Sequence, residues 1–160
     1  MTEKIAIDGI EKNESMTKVT LSGVPDRPGM AGEIFGALGQ KGISVELLVT
    51  NPGNAGRSNI SFAILSAEVE TARAVLEEIR ERVGAEKLSF QADMALISIH
   101  GQRLSGVPGV AGKMFHALAS NGINIDSISS SRTGVTCLIA QEHLAAAETS
   151  LQTVFALSAS

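Results

Sequence analysis

Hydrophobic residues along this chain recur at two spacings, and each spacing predicts one kind of element. In residues 18–22 the apolar side chains occupy every second position, which is the pattern of a strand with one buried face. Farther on they recur every three or four residues, which is the pattern of a helix with one buried stripe. That stripe consists of Ala31, Ile34, Phe35 and Leu38. Pro28 and Gly42 flank it and are typical of a helix start and a helix end.

The rest of the first half continues with the same two patterns. The predicted elements are a strand at 43–50, a strand containing Ile60, Phe62 and Ile64, a helix at 69–83 and a strand containing Leu88 and Phe90. The resulting order, β-α-β-β-α-β, is that of a ferredoxin-like unit.

The second half of the chain repeats the first. Pro28–Leu38 reappears as Pro108–Leu118, offset by half of the 160 residues, and the match continues without a gap to Asp126. A period of this length indicates two small domains in tandem. The second set of predicted elements is a strand at 96–100, a helix at 110–121, strands at 123–129 and 135–140, and a helix from about 141 to 155. The predicted fold class is therefore α+β, with two ferredoxin-like units.

The second unit lacks a fourth strand after its closing helix, whereas the chain opens on a strand pattern at residues 4–8 that the first unit does not need. An open sheet edge favours unwanted pairing. We therefore expect residues 3–11 to supply the missing strand of the second unit. The predicted domains are residues 15–92 and residues 93–160, the latter joined by 3–11.

Composition and charge exclude several classes of function. The formal net charge is -4 and aromatic residues make up 3%, so the basic and stacking surface of a nucleic-acid binder is missing. The single cysteine, Cys137, lies in an apolar strand pattern and is expected to be a buried, unreactive thiol. His100, His116 and His143 have no partners at ligand spacing, so no metal or other cofactor is expected. No apolar run reaches the roughly 20 residues of a membrane helix, and we expect a cytoplasmic protein.

The turn between the first strand and the first helix of each unit is the best candidate for chemistry, because no catalytic motif occurs. A helix start carries unpaired N–H groups and partial positive charge, which suit a carboxylate. The residues that present these groups are Gly29, Met30 and Ala31 in the first unit and Gly109, Val110 and Ala111 in the second. Asp26 could receive an ammonium group, so the first turn suits a free amino acid. The alternative, that Pro-Gly merely starts a helix, stays open at this point.

The motif running from Gly23 through Ala31 to Val45 resembles an ACT domain, and its second copy, from Pro108 to Ser129, resembles it more closely. The pair is similar to the regulatory region of aspartokinase over nearly the whole chain. Since the 160 residues hold no kinase domain, they resemble the regulatory β subunit of heteromeric aspartokinases.

This resemblance implies a non-catalytic feedback sensor for threonine, lysine or both, acting on a catalytic aspartokinase subunit and forming a homodimer through its ACT domains. It places the effector at an interface between ACT domains. The implied ligand-binding residues are Asp26, Gly29, Met30, Ala31, Thr50, Asn51, Asn124 and Ile125, and for the second unit Gly109, Val110, Ala111, Ser129 and Ser130.

The chain departs from the family pattern at two places. Thr50 stands where the family commonly has a glutamine that helps to hold the effector. Arg132 stands where the family typically has an acidic residue, which disfavours the cationic side chain of lysine. We therefore expect threonine, or another neutral amino acid, to be preferred over lysine.

Two other functions remain open from the sequence. The chain could be a free-standing amino-acid sensor for another biosynthetic enzyme, a transporter or a transcription factor. It could also be a small ferredoxin-like acylphosphatase that uses Arg27 and Asn59, although the duplication and the carboxylate of Asp26 argue against an anion-hydrolysing site.

Overall fold

The computed structural model describes residues 7–102 and 104–155. The chain divides into two compact units. One, the inserted unit, is Ser15–Ala92; the other, the split unit, joins the chain before Ser15 to the chain from Asp93 onward. Strands β1 (Gly9–Pro25) and β4 (Lys87–His100) each contribute residues to both units.

The inserted unit packs two helices on one face of a sheet. Its further elements are α1 (Met30–Gln40), β2 (Glu46–Pro52), β3 (Arg57–Leu65) and α2 (Val69–Val83). The strand order is β2-β3-β1-β4, and β3 is antiparallel to both β1 and β2. The core contains Leu21, Ile34 and Leu76, and the rings of Phe35 and Phe62 meet edge to face at 5.2 Å.

The split unit has the same plan and a hydrophobic core of its own. Its further elements are α3 (Val110–Ser120), β5 (Ser127–Ser130), β6 (Gly134–Ala140) and α4 (Leu144–Val154). The strand order is β1-β4-β6-β5. Its core includes Ile97, Met114 and Leu151.

Ile7 and Asp8, just ahead of β1, lie with the split unit. Ile7 is buried in that core, and the amide of Asp8 donates to the carbonyl of His100 at 2.7 Å. The strand begins at Gly9, beyond the alternating pattern of residues 4–8. Residues 3–6 of the predicted completing segment lie outside the described residues.

The predicted α+β fold with two ferredoxin-like units is confirmed, and the strands differ from the prediction at two further places. First, the patterns around Phe90 and at 96–100 belong to one strand, β4. Second, β2 and β5 begin at Glu46 and Ser127, three or four residues later than predicted. In the helices of the described residues, no segment is long and apolar enough to cross a membrane.

The late start of both strands has one physical cause. After the left-handed residue Gly42, the amide of Ile43 donates back to the carbonyl of Leu38 at 3.1 Å. Ile123 does the same to Leu118 at 3.1 Å. These buried isoleucines therefore complete the ends of α1 and α3 rather than opening a strand.

Candidate functional site

The turn from β1 to α1 leaves a helix start open at the surface of the inserted unit. Gly29 adopts a left-handed conformation (φ 94°), and the amide of Glu33 makes the first helical bond, 3.0 Å to the Gly29 carbonyl. The amides of Met30, Ala31 and Gly32 precede that bond, and no side chain caps the helix. Partial positive charge is therefore exposed there.

Asp26 stands just ahead of this helix start. Its side chain is exposed, and its amide donates to the carbonyl of Gly56 at 2.9 Å. That bond ties the turn to the loop between β2 and β3. The inserted unit thus has N–H groups and a carboxylate within one short turn, and the role of these groups in binding stays a prediction.

Thr50 and Asn51 lie at the same end of the sheet as this turn. Both β1 and β2 are antiparallel to β3, so they run in the same direction and end at the same edge. Thr50 pairs with Ile60, which also pairs with Leu21 of β1. Thr50 lies two strand spacings from β1, a distance of about 10 Å. Both residues are exposed, so their side chains are available at this end.

The corresponding turn of the split unit has the same backbone but a different set of side chains. Gly109 is left-handed (φ 84°), and the amide of Lys113 donates to its carbonyl at 2.9 Å. Val110 is buried and Ala111 half-buried. Gly106 takes the place that Asp26 holds in the repeat, so this turn has no carboxylate there.

The other predicted residues of the split unit fall at its two opposite ends. Ser129 and Ser130 lie on β5, at the end where α3 begins. Asn124 and Ile125 lie in the connection between α3 and β5, at the opposite end of the unit; Ile125 packs against the core and Asn124 is exposed. Their predicted role beside the Asp26 turn stays a prediction.

Cys137 is packed in the core of the split unit, and the side chains of His100 and Arg80 lie beside carboxylates. Burial of the Cys137 thiol raises its pKa to about 12, which makes it a poor nucleophile. His100 lies 3.9 Å from a carboxylate oxygen of Glu11, and Arg80 pairs with Glu77 at 3.1 Å. No group of three or more potential metal ligands occurs within residues 7–102 and 104–155.

Arg57 is a residue near the turn that the hydrophobic pattern does not single out. Its guanidinium donates to the carbonyls of Gly23 and Gly84, at 2.6 and 3.0 Å. The neighbouring Asn59 accepts a hydrogen bond from the Gly23 amide at 3.1 Å. Asn59 is thus held by the backbone, which leaves its side-chain oxygen unsuited to the acylphosphatase role considered above.

Comparison with known proteins agrees with both repeats. One ACT domain model matches residues 19–84, and a second ACT domain model matches residues 97–155. A solved structure of aspartokinase alpha and beta subunits superposes with a TM-score of 0.86 at 30% identity, over 95% of this chain and 100% of that one. The ligand-free regulatory subunit of aspartate kinase from Thermus thermophilus superposes with a TM-score of 0.86 at 31% identity, over 94% of this chain and 99% of that one.

Curated relatives are longer than this chain. An aspartate kinase from Pseudomonas putida is 35% identical over 157 residues, which is 98% of this chain and 38% of the relative. The aspartokinase of Thermus thermophilus is 32% identical over 154 residues, again 38% of its length. The chain thus spans less than two fifths of these relatives and corresponds to their regulatory part. It belongs to the family of aspartokinase regulatory domains, which are built from a tandem pair of ACT domains.

Proposed function

We propose that this chain is the non-catalytic, regulatory part of an aspartokinase and that it binds a feedback amino acid, with threonine preferred over lysine. In this proposal it works as a homodimer together with a catalytic aspartokinase subunit. The observation that carries the proposal is the uncapped start of α1, where the amides of Met30, Ala31 and Gly32 have no capping side chain and follow the exposed Asp26 closely along the chain.

The two charges of a free amino acid fit the two parts of this turn. The carboxylate of the bound amino acid accepts hydrogen bonds from the amides of Met30 and Ala31 and lies at the positive end of α1. The ammonium group pairs with Asp26. Thr50 and Asn51, at the same end of the sheet, offer a hydroxyl and an amide to a polar side chain such as that of threonine.

Charge favours a neutral effector over lysine. Arg132 is exposed in the hairpin between β5 and β6, next to Ser130. Arg132 belongs to the split unit, so its guanidinium repels a cationic side chain held at the Ser129–Ser130 end of that unit, since like charges raise the free energy of such a complex.

An effector regulates assembly only if it binds the assembled form better than the free chains. A site completed by a second ACT domain has this property, because effector bound there stabilises the associated state by mass action. Effector binding then changes the association state of the chain, and this change is what reaches the kinase subunit.

Titration calorimetry with threonine and with lysine tests the proposal. We expect threonine to bind more tightly, and the Asp26→Asn variant to bind it about tenfold more weakly, because the ammonium loses a charge-assisted partner. Glu70→Gln is the matched control: it removes the same charge from an exposed position in the first turn of α2, away from the turn before α1.

Tighter binding of lysine would contradict the effector preference, and equal threonine affinity of Asp26→Asn and the wild type would contradict the site. The partner is tested separately, by mixing the chain with a catalytic aspartokinase subunit. Kinase activity that does not change with the chain and threonine together would contradict the regulatory role.

A further inference from the structure

Strand β1 carries a bulge just before the candidate site. In the ladder with β3, Leu21 pairs with Ile60 and Val24 pairs with Ser58. Two residues of β1, Ser22 and Gly23, therefore face one residue of β3. Such a bulge leaves its extra residue without ladder partners and redirects the strand that follows.

Two side chains of β3 supply the hydrogen bonds that the bulge lacks. The amide of Gly23 donates to Oδ1 of Asn59 at 3.1 Å, and Nη1 of Arg57 donates to the Gly23 carbonyl at 2.6 Å. Both polar groups of the bulged residue are thus satisfied from one neighbouring strand. An unsatisfied group here would carry a free-energy penalty, so these contacts hold the bulge in one conformation.

Arg57 also connects the bulge to the turn that follows α2. The same Nη1 donates to the carbonyl of Gly84 at 3.0 Å, and Nε lies 3.6 Å from Oε1 of Glu86. The amide of Glu86 in turn donates to the carbonyl of Ser22 at 2.9 Å. One guanidinium therefore links the end of β1, the start of β3 and the connection from α2 to β4.

The backbone conformation of the bulge favours glycine at position 23. Its φ is +66°, which strains any other residue, whereas the atoms that a Cβ would meet, at 2.5 Å, belong to the flexible side chain of Glu86. The bulge is thus restricted mainly by its backbone conformation.

The bulge lies directly before the turn that holds Asp26. Pro25 pairs with Arg57, and the next amide, that of Asp26, bonds to Gly56, the residue before Arg57. Arg57 is therefore connected to Asp26 in two ways: through the carbonyl of its covalent neighbour Gly56, which accepts from the Asp26 amide, and through Gly23, which its guanidinium holds three residues ahead of Asp26.

From these contacts we infer that Arg57 is a positioning residue for effector binding: it fixes the bulge at Gly23 and thereby sets the direction of Asp26 and of the first amides of α1. The inference rests on the proposed function of that turn. Arg57 acts through the backbone, since its donors are directed at Gly23 and Gly84 and its Nε faces Glu86. A lysine has one compact ammonium group and reproduces this forked geometry poorly.

The test measures threonine affinity and hydrogen exchange in Arg57→Met and Arg57→Lys. In Arg57→Met we expect threonine to bind about tenfold more weakly, the scale set by losing hydrogen bonds that fix a binding group. We also expect faster exchange of the Asp26 amide. Arg57→Lys should fall between Arg57→Met and the wild type in threonine affinity and in exchange of the Asp26 amide. It is the variant to be measured if Arg57→Met does not fold.

Glu86→Gln is the control, because it removes the ion pair and keeps both guanidinium–carbonyl bonds. Its threonine affinity should stay within about twofold of the wild type, since an ion pair at this exposure contributes little. Its Asp26 amide should exchange as in the wild type.

Two results would overturn the inference. One is a lower melting temperature of the Arg57 variants with unchanged threonine affinity well below melting, which would make Arg57 structural only. The other is unchanged exchange of the Asp26 amide. If the wild type binds neither threonine nor lysine, the proposed effector is wrong, and the exchange experiment alone decides whether Arg57 orders the turn.

Discussion

Cys137 shows at the scale of one residue how burial changes chemistry. The side chain lies in the core of the split unit, and burial raises its pKa from 9.0 to about 12. In the unfolded chain the thiol ionises near its usual pKa, whereas in the folded chain it stays protonated far above it. Between these two values the unfolded chain holds fewer protons, so the free energy of unfolding falls as the pH rises.

This sign leads to a measurable pH dependence. We expect the free energy of unfolding of the wild type to fall by about 1 kcal/mol more between pH 8 and pH 10 than that of Cys137→Ala. Urea unfolding of both proteins at the two pH values gives the difference. Equal losses in the two proteins would show that the thiol ionises as easily in the folded chain as in the unfolded one.

Single residues of the site differ in how far the sequence reveals them. Gly29 belongs to a short motif that occurs twice, and a helix start depends on neighbours along the chain, so Gly29 can be predicted, together with Asp26 just ahead of it. Arg57 cannot, because its partners Gly23 and Gly84 lie 34 and 27 positions away. Only the folded sheet brings these three together.

The two turns that precede α1 and α3 are matched elements with unequal side chains. Gly29 and Gly109 are both left-handed, and a Cβ at either position would meet no atom within 4 Å. An alanine at either position therefore destabilises the fold only through its left-handed backbone conformation, which costs about 1–2 kcal/mol of folding free energy. Comparison of the two variants separates the cost to the fold from the effect on binding.

We expect Gly29→Ala to weaken threonine binding and Gly109→Ala to leave it unchanged, because the carboxylate of Asp26 stands beside the first turn alone. Both variants should lose similar free energy of unfolding. Calorimetry and thermal melting of the pair check this. A larger loss of affinity in Gly109→Ala would move the effector site to the split unit.

Elements as a whole follow the sequence pattern except at their ends. The helix α2 has the predicted bounds, 69–83, because its stripe and its terminating Gly84 are local signals. The starts of β2 and β5 differ from the pattern, since an isoleucine that is spaced like a strand residue also suits a helix end. The spacing of hydrophobic residues predicts which side chains are buried, but it does not predict which backbone hydrogen bonds those residues make.

At the scale of the whole chain, one unit interrupts the other. Ile7 is 7% exposed and belongs to the same core as Leu151, although the entire inserted unit lies between them in the sequence. Lys12 adds an ion pair of 3.0 Å to Glu148 of α4. The counting of strands predicts this arrangement, because one unit lacks a strand and the chain start has one to spare.

Truncation of the Ile7 side chain should therefore destabilise a unit made mostly of residues from Asp93 onward. We expect Ile7→Ala to lower the free energy of unfolding by about 2–4 kcal/mol, as for other buried aliphatic residues. Leu65→Ala is the control, since this leucine is 47% exposed, and its loss should be below about 1 kcal/mol. Equal effects of the two substitutions in thermal melting would show that Ile7 contributes no core packing.

The interruption also sets an order of events during synthesis. The residues before Ser15 leave the ribosome ahead of the inserted unit, yet the strand residues that complete their sheet, in β4 from Asp93 onward and in β6, come only after it. The inserted unit can fold in the meantime, because all its strands and both its helices are already available. During this time the part of β1 before Ser15 remains an unpaired strand edge. Its exposed run Glu11–Glu14, with three charged side chains, opposes pairing with other nascent chains.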